Sequence, residues 1–289
     1  MKILVGYSPD SRGDDALALA AQVARAAKAS LVVVNVRAAA WPARGSGSVD
    51  AEWVAYLTEM ARAVLAQARA KLESESLEKI VVDYVVQANR GSGRGLGEAA
   101  KETGAELIVI GSAPRGRAGR IAIGSTADQL LHGSPVPVLL APRGYGDKPF
   151  LRLRRLTIAY WRRRDAGGVL VEAKELADQV GIALRLVTLV LRPPGVTRKF
   201  RGEEEVMRRQ CEQAERDLKE AAARLGDVET EVLLGSGVAK ALSVADWGDG
   251  EILACMSSAT GPLRKVFLGD TSGKIVRAAP CPVMVLPRR

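Results

Sequence analysis

The chain has 289 residues, which is enough for one large domain or two ordinary ones, and 47% of them are hydrophobic. Its net charge of +9 suits anionic ligands such as nucleotides, whereas an aromatic content of 4% argues against a surface that stacks nucleic-acid bases. No apolar run reaches the roughly 20 residues of a membrane helix, and the start of the chain lacks signal-peptide features, so we expect a cytoplasmic protein.

The first half alternates short apolar runs with helical patterns. Asp14 and Asp15 suit the start of a first helix. A long amphipathic helix is indicated by apolar residues that recur at three- and four-residue steps from Trp53 to Leu72. The patterns together predict strands at 2–7, 31–36, 80–86, 107–110 and 136–141, and helices at 13–28, 53–72 and 96–103.

The second half repeats the first. The stretch SPVPVLLAP at 134–142 parallels APCPVMVLP at 279–287, and the start of the strand at 106–109 parallels 251–254 at the same offset. Gly124 then falls opposite Gly269. Agreement at several places predicts two copies of one domain, at 1–149 and 150–289, joined near 144–151.

Alternating strands and helices predict an α/β fold in which helices cover both faces of a parallel sheet. Each copy is expected to be a five-stranded, doubly wound, Rossmann-like domain. Such sheets bind ligands beyond the carboxyl ends of their strands, where the strand order reverses. The loop GSAPRGRAGRIAIGST, residues 111–126, follows the fourth strand and is predicted to lie at that edge.

This loop has features of a phosphate site. Gly124 permits a close backbone approach, and Ser125 and Thr126 begin a helix whose free N–H groups and hydroxyls can donate to an anion. The alternative is a mobile, arginine-rich loop that binds nothing specific. Three arginines of the loop suit the outer phosphates of a nucleotide: Arg115, Arg117 and Arg120.

With these motifs the chain resembles the universal stress protein family, as a tandem of two domains. The resemblance covers nearly the whole chain and rests on ILVGY at 3–7, GAELIVIGS at 104–112, the glycine loop and the two proline-flanked strands. It implies an adenine nucleotide α-hydrolase-like fold that binds ATP or another adenine nucleotide in the first domain. Whether Mg²⁺ accompanies the nucleotide is left open.

The resemblance also implies the residues of that nucleotide site. Gly111 and the pair Gly124-Ser125 match the ends of the family pattern, in which two residues, a glycine and nine residues lie between them. Pro114 replaces the middle glycine, and its fixed φ would either weaken binding or shift the phosphates toward Gly116 and Gly119. The site residues carried over are Gly111, Ser112, Arg115, Gly116, Gly124, Ser125 and Thr126, with Ser8 and Val36 for the nucleoside.

Further departures from the family occur in both copies. Ser8 stands where ATP-binding members carry Asp after the first strand, and Asp10 is the nearest substitute. In the second copy, Met256 and Ala259 replace the two glycines. Asp270, which would repel a phosphate, replaces the serine or threonine, while Trp161 fills the place after the first strand. We therefore predict a degenerate second domain.

Other polar features have simpler structural interpretations. The glycine run 91–97 lacks GxGxxG spacing and predicts a turn into a helix rather than a second phosphate loop. His132, the only histidine, is interpreted as a capping or surface residue rather than a metal ligand. Cys255 and Cys281 are interpreted as core residues, the aspartates at 10, 14 and 15 as helix-start charges rather than a magnesium cluster, and the arginine clusters at 152–155, 162–164 and 198–201 as solvated faces.

Three functions remain open: a regulatory protein that binds adenine nucleotide, a stress scaffold that acts through protein–protein contacts, and an enzyme of the related α-hydrolase type. No catalytic or metal-binding constellation is evident, so at most slow ATP hydrolysis is expected. The resemblance implies that the last strands, 136–141 and 282–286, pair as an internal pseudo-dimer. A further homodimer is left open, and neither nucleic acid nor membrane insertion is expected.

Overall fold

The computed structural model describes residues 1–39, 48–74, 80–148, 152–161, 166–192, 203–257, 266 and 268–287. The first half contains β1 (Lys2–Gly6), α1 (Ser11–Ala27), β2 (Ser30–Ala38), α2 (Ser48–Ser74), β3 (Val82–Asn89), α3 (Ser92–Thr103), β4 (Leu107–Gly111), α4 (Ser125–Leu131) and β5 (Val138–Ala141). The second half contains β6 (Arg155–Ala159), α5 (Ala166–Val180), β7 (Ala183–Leu191), α6 (Glu203–Ala223), β8 (Glu229–Gly235), α7 (Val238–Leu242), β9 (Glu251–Met256), α8 (Asp270–Ala278) and β10 (Val283–Leu286). None of the described helices combines the length and apolar character that crossing a bilayer requires.

The strands form one ten-stranded sheet in the order β3-β2-β1-β4-β5-β10-β9-β6-β7-β8. Pairing is parallel within each half, and the strand order reverses between β1 and β4 and again between β6 and β9. The predicted α/β fold with two doubly wound five-stranded copies is confirmed. Both reversal points open at the carboxyl ends of the strands, where such sheets hold ligands.

The two halves meet where β5 and β10 pair antiparallel. The register joins Leu139 to Met284 and extends one residue to each side. Prolines at 137 and 282 precede these strands, and prolines at 142 and 287 follow them, which keeps the ladder short because proline has no N–H to donate. The second half also reaches across to α4, since the Leu268 N–H donates to the Leu131 carbonyl at 2.8 Å.

The apolar residues of each strand alternate between two cores. In β1, Ile3 and Val5 face the layer of α1 and α2, whereas Leu4 faces the layer of α3 and α4. Each of these three side chains has no exposed surface. Burial on both faces explains the nearly continuous apolar runs that predicted the strands.

The segment after β5 is anchored to α1. The buried carboxylate of Asp15 accepts the N–H of Gly144 at 2.9 Å and the N–H of Gly146 at 2.8 Å, and Tyr145 hydrogen-bonds to Gln22. Burial raises the pKa of Asp15 above its ordinary value. The interpretation of Asp15 as a helix-start charge is therefore wrong, because its side chain points inward and fixes the linker.

Candidate functional site

A small cleft lies at the reversal point of the first half, where β1 and β4 end. Its volume is about 90 Å³, and it brings together five of the predicted site residues: Ser8, Gly111, Gly124, Ser125 and Thr126. Its other lining residues are Arg12, Gly13, Ile110, Ala113 and Ala127. Four predicted residues lie outside its lining: Val36, Ser112, Arg115 and Gly116.

Close backbone approaches explain the glycines of the cleft. A Cβ on Gly111 would lie 2.1 Å from the Arg12 carbonyl oxygen, and one on Gly13 would lie 1.9 Å from the Ser8 carbonyl oxygen. Both distances are too short for any other residue. These glycines therefore hold the start of α1 against the ends of β1 and β4, and this contact forms one wall of the cleft.

Sequence reasoning does not identify Arg12, which lies in the first turn of α1 and lines the cleft. Its Nε donates to Asp10 Oδ2 at 3.0 Å, while Asp10 Oδ1 accepts the Ser8 hydroxyl at 2.9 Å. Asp10 also caps α1 by accepting the backbone N–H groups of Arg12 and Gly13. Partial burial opposes ionisation, but these hydrogen bonds outweigh it and lower the pKa of Asp10 to about 2. The carboxylate thus serves the helix cap and orients Arg12.

The opposite wall is the start of α4. Gly124 is the N-cap, with an extended backbone, and a Cβ there would lie 3.0 Å from the Ala113 Cβ. The first turn of a helix leaves its N–H groups without intrahelical acceptors. Ser125 is exposed, whereas the Thr126 hydroxyl lies 2.6 Å from the Ser92 hydroxyl at the start of α3. Hydroxyl and amide donors therefore line this wall.

The loop between β4 and α4 is held at several points. The buried Ser112 hydroxyl accepts the Ala122 N–H at 2.8 Å and donates to the Ala113 carbonyl at 3.2 Å. Pro114 follows Ala113 in a turn closed by the Gly116 N–H, which donates to the Ala113 carbonyl at 3.2 Å. Proline suits the second position of such a turn, so its missing N–H costs nothing there. In this structure Ser112 thus closes the loop.

Arginines of this loop point outward. Arg115, Arg117 and Arg120 are exposed. The Gly116 carbonyl accepts Arg143 Nη1 at 2.8 Å, and the Gly119 N–H donates to the Arg143 carbonyl at 2.9 Å. These contacts fix the middle of the loop to the end of β5.

Val36, the predicted adenine contact, lies in β2 opposite Gln87 of β3. A Cβ on Gly95 would lie 2.7 Å from Val36 Cγ1. The glycine run 91–97 therefore brings α3 close to the sheet, and α3 begins within it at Ser92. This agrees with the interpretation of the run as a turn into a helix.

Comparison with known proteins decides the family. The universal stress protein family model matches residues 1–142 and again residues 153–287. The chain belongs to the universal stress protein family. Universal stress proteins of Mycobacterium tuberculosis and Mycobacterium bovis are 40% identical to it over 296 residues, covering 99% of this chain and 100% of theirs. The predicted tandem of two domains is confirmed.

Solved structures support the fold. A universal stress protein from Archaeoglobus fulgidus superposes with a TM-score of 0.64 at 18% identity, covering 100% of this chain and 98% of that one. A Pseudomonas aeruginosa protein of unknown function gives 0.62 at 15% identity, covering 99% and 92%. At these identities the likeness shows the fold alone.

The second universal stress protein domain differs at the corresponding place. Its Ser272, opposite Ala127, is buried and donates to the Met256 carbonyl at 2.9 Å, which ties α8 to the end of β9. Asp270 is exposed and pairs with Lys274 at 2.7 Å. Trp161 is half-buried and packs on the core of this domain. Ala259 lies outside the described residues.

The remaining reactive groups are accounted for structurally. Burial raises the pKa values of Cys255 and Cys281 to about 12, in agreement with core positions. His132 is exposed, and its Nδ1 lies 2.8 Å from the Asp128 carbonyl oxygen. The described residues contain no group of three or more His, Cys, Asp or Glu side chains arranged to hold a metal ion.

Proposed function

We propose that the first domain binds ATP or a related adenine nucleotide and that the second domain serves as its fixed partner. The observation that supports this is the cleft itself, in which the retained glycines and hydroxyls of the family pattern meet Arg12. Arginine matches phosphate geometry with its fork of donors, and backbone N–H groups add further donors.

The size of the cleft limits how a nucleotide would sit. A volume of 90 Å³ is small beside the roughly 300–1,000 Å³ of pockets that enclose a whole small-molecule ligand. This space suits a phosphoryl group and leaves the nucleoside outside it. We therefore propose that the phosphates enter between Gly111 and Gly124, while the base lies on the neighbouring surface toward the end of β2. Any Mg²⁺ would be bound to the nucleotide before it enters.

A thermal-shift series tests this proposal. ATP, ADP, AMP and cyclic AMP are added to the full chain. At one hundred times Kd a ligand adds about 2.7 kcal/mol to the free energy of unfolding. Gly124→Val places a branched side chain against Ala113, so we expect the shifts with AMP and cyclic AMP, which carry a single phosphoryl group, to be lost. Gly269→Val, at the corresponding position of the second domain, is the matched control and should keep these shifts.

The alternative is a scaffold that acts through protein contacts. It is favoured by an exposed aromatic pair on α2, where Trp53 and Tyr56 are 56% and 54% exposed and their rings stack at 5.5 Å. A wild-type chain that responds to none of the four nucleotides would favour this function and count against the nucleotide site.

We also propose that the β5–β10 pairing makes one chain an internal pseudo-dimer. Light scattering measures whether a second chain joins it. A monomer in solution supports an arrangement completed within one chain, and a stable dimer would mean that a further surface associates.

A further inference from the structure

A second concave site lies on the other layer of the first domain, between α2 and strands β2 and β3. Its volume is about 520 Å³, against 90 Å³ for the cleft beside α4. Among the described residues, eight line it, with three arginines and no carboxylate: Arg37, Thr58, Arg62, Leu65, Ala66, Arg69, Tyr84 and Val86. Leu65 belongs to the core under α1 and α2, whereas Leu130 of α4 belongs to the opposite core, so the two sites lie on different faces of the sheet.

The arginines converge from two elements. Arg62 and Arg69 are two helical turns apart on one face of α2, a rise of about 10.5 Å along the axis. Arg37 approaches from the end of β2. The guanidinium carbon of Arg69 lies 4.6 Å from the centre of the Tyr84 ring, which orients that side chain across the site.

The described residues neutralise these charges only weakly. Arg62 pairs with Glu59 at 3.5 Å, but both side chains are about 70% exposed, and such pairs contribute little. Arg37 Nη1 donates to the Ala38 carbonyl at 3.0 Å. A guanidinium has five N–H donors, so one such contact occupies a small part of each group. The carboxylate of Glu73 acts on Tyr84 through its charge, but Glu73 does not line the site.

The second domain shows that the fold does not require this arrangement. Aligning the buried stripe of α2 with that of α6 places Arg62 opposite Glu215 and Arg69 opposite Ala222. The same offset between β2 and β7 places Arg37 opposite Val190. The same space in the second domain is filled by an apolar cluster: Val190, Met207, Cys211, Ala214, Val232 and Leu234. The arginine site is thus a property of the first domain alone.

We propose that this arginine site binds a linear oligophosphate group of two or three phosphoryl units. Three guanidinium groups match the charge of such a chain, and the separation of Arg62 and Arg69 along α2 matches an extended ligand better than a single anion. Arginine binds phosphate oxygens in pairs through its planar fork. Leu65 and Val86 form the apolar floor of the site.

Calorimetric titration of the full chain with inorganic tripolyphosphate tests the site, at low salt and at 0.15 M. The double variant Arg62→Gln/Arg69→Gln should weaken binding at least tenfold. The control Arg216→Gln/Arg224→Gln removes the same charge from exposed positions on α6 and on the turn that follows it, and should bind as the wild type does. Equal losses in both variants would show nonspecific attraction by net charge and overturn the proposal, as would a wild type that does not bind.

Two further titrations test whether the site requires a chain of phosphoryl groups and whether it is separate from the cleft beside α4. Orthophosphate should bind much more weakly than tripolyphosphate, and equal affinity would overturn the oligophosphate assignment. Gly124→Val should leave tripolyphosphate binding unchanged, whatever it does to ATP, because the arginine site lies on the other face of the sheet. Loss of tripolyphosphate binding in Gly124→Val would overturn the proposal. Unchanged melting temperatures of the unliganded variants would show that each is folded.

Discussion

The hydroxyl of Ser272 donates to the carbonyl of Met256 at 2.9 Å, out of contact with solvent. The corresponding residues of the first domain are Ala127 and Gly111, and both line the cleft there. One added hydroxyl therefore connects the helix and strand in the second domain at the place where the first domain keeps an opening.

Replacing Ser272 with alanine should destabilise the chain by about 1 kcal/mol, because it leaves the Met256 carbonyl without this donor. Urea denaturation measures the change. Ser243→Ala is the matched control, since its hydroxyl also donates to a backbone carbonyl, at 2.8 Å, but is exposed. We expect its effect to stay within about 0.5 kcal/mol. Equal effects would mean that burial does not distinguish the two bonds.

Gly111→Ala should reduce stability by more than about 2 kcal/mol, since the new Cβ overlaps the Arg12 carbonyl oxygen and forces the backbone to shift. Gly97→Ala introduces the same methyl group in α3, where nothing lies within 4 Å. That substitution should stabilise the helix by about 0.5–1 kcal/mol. Thermal unfolding of both variants tests the pair, and a tolerated Gly111→Ala would contradict the close approach.

Glu251→Gln should cost about 3 kcal/mol. Glu251 is buried with Arg185 at 2.7 Å, and its second oxygen meets Arg155 at 2.9 Å, so the amide removes the buried carboxylate of this cluster and leaves Arg185 with the partly exposed Glu231 at 3.1 Å. The exposed Glu229 also pairs with Arg155, at 3.1 Å. Glu229→Gln removes the same charge at the surface and should cost less than about 1 kcal/mol. Chemical denaturation compares the two.

The pH dependence of stability should report the cap of α1. Because the folded pKa of Asp10 is lowered from 3.8 to about 2, its charge stabilises the fold at pH values above about 4. This contribution is lost as the pH falls through about 2. Asparagine also caps helices, so Asp10→Asn removes the charge alone.

Stability of the wild type and of Asp10→Asn is therefore compared between pH 7 and pH 3. The difference should be constant at neutral pH and should shrink on acidification. A difference that is independent of pH would show that the carboxylate charge contributes nothing.

Sequence patterns predicted the architecture because strands that are buried on both faces of the sheet have nearly continuous apolar sequences. The apolar run of β1 and the part of the α2 stripe from Leu65 to Leu72 required no knowledge of tertiary contacts, whereas Trp53 at the start of that stripe is exposed. The residues of the cleft could be predicted only in part from such patterns. Gly111 and Gly124 were found by their spacing, whereas Arg12 enters the cleft through its contact with Asp10, which is a matter of side-chain direction.

Two buried polar groups escaped prediction for the same reason. Arg185 lies in a strand that reads as apolar, and its partner Glu251 is 66 residues away. Asp15 resembled a helix-start charge, although its acceptors serve a linker more than 120 residues further on. Distant partners leave no periodic signal near either residue.

The contact from Leu268 to Leu131 has a consequence for how the two halves can diverge. When identical subunits associate about a two-fold axis, every substitution at their interface occurs twice, so a change must be tolerated on both sides at once. Two domains joined in one chain have separate sequences, so a substitution at their interface occurs on one side only. The first domain can therefore carry arginines where the second domain carries apolar side chains, and neither set of substitutions requires the other.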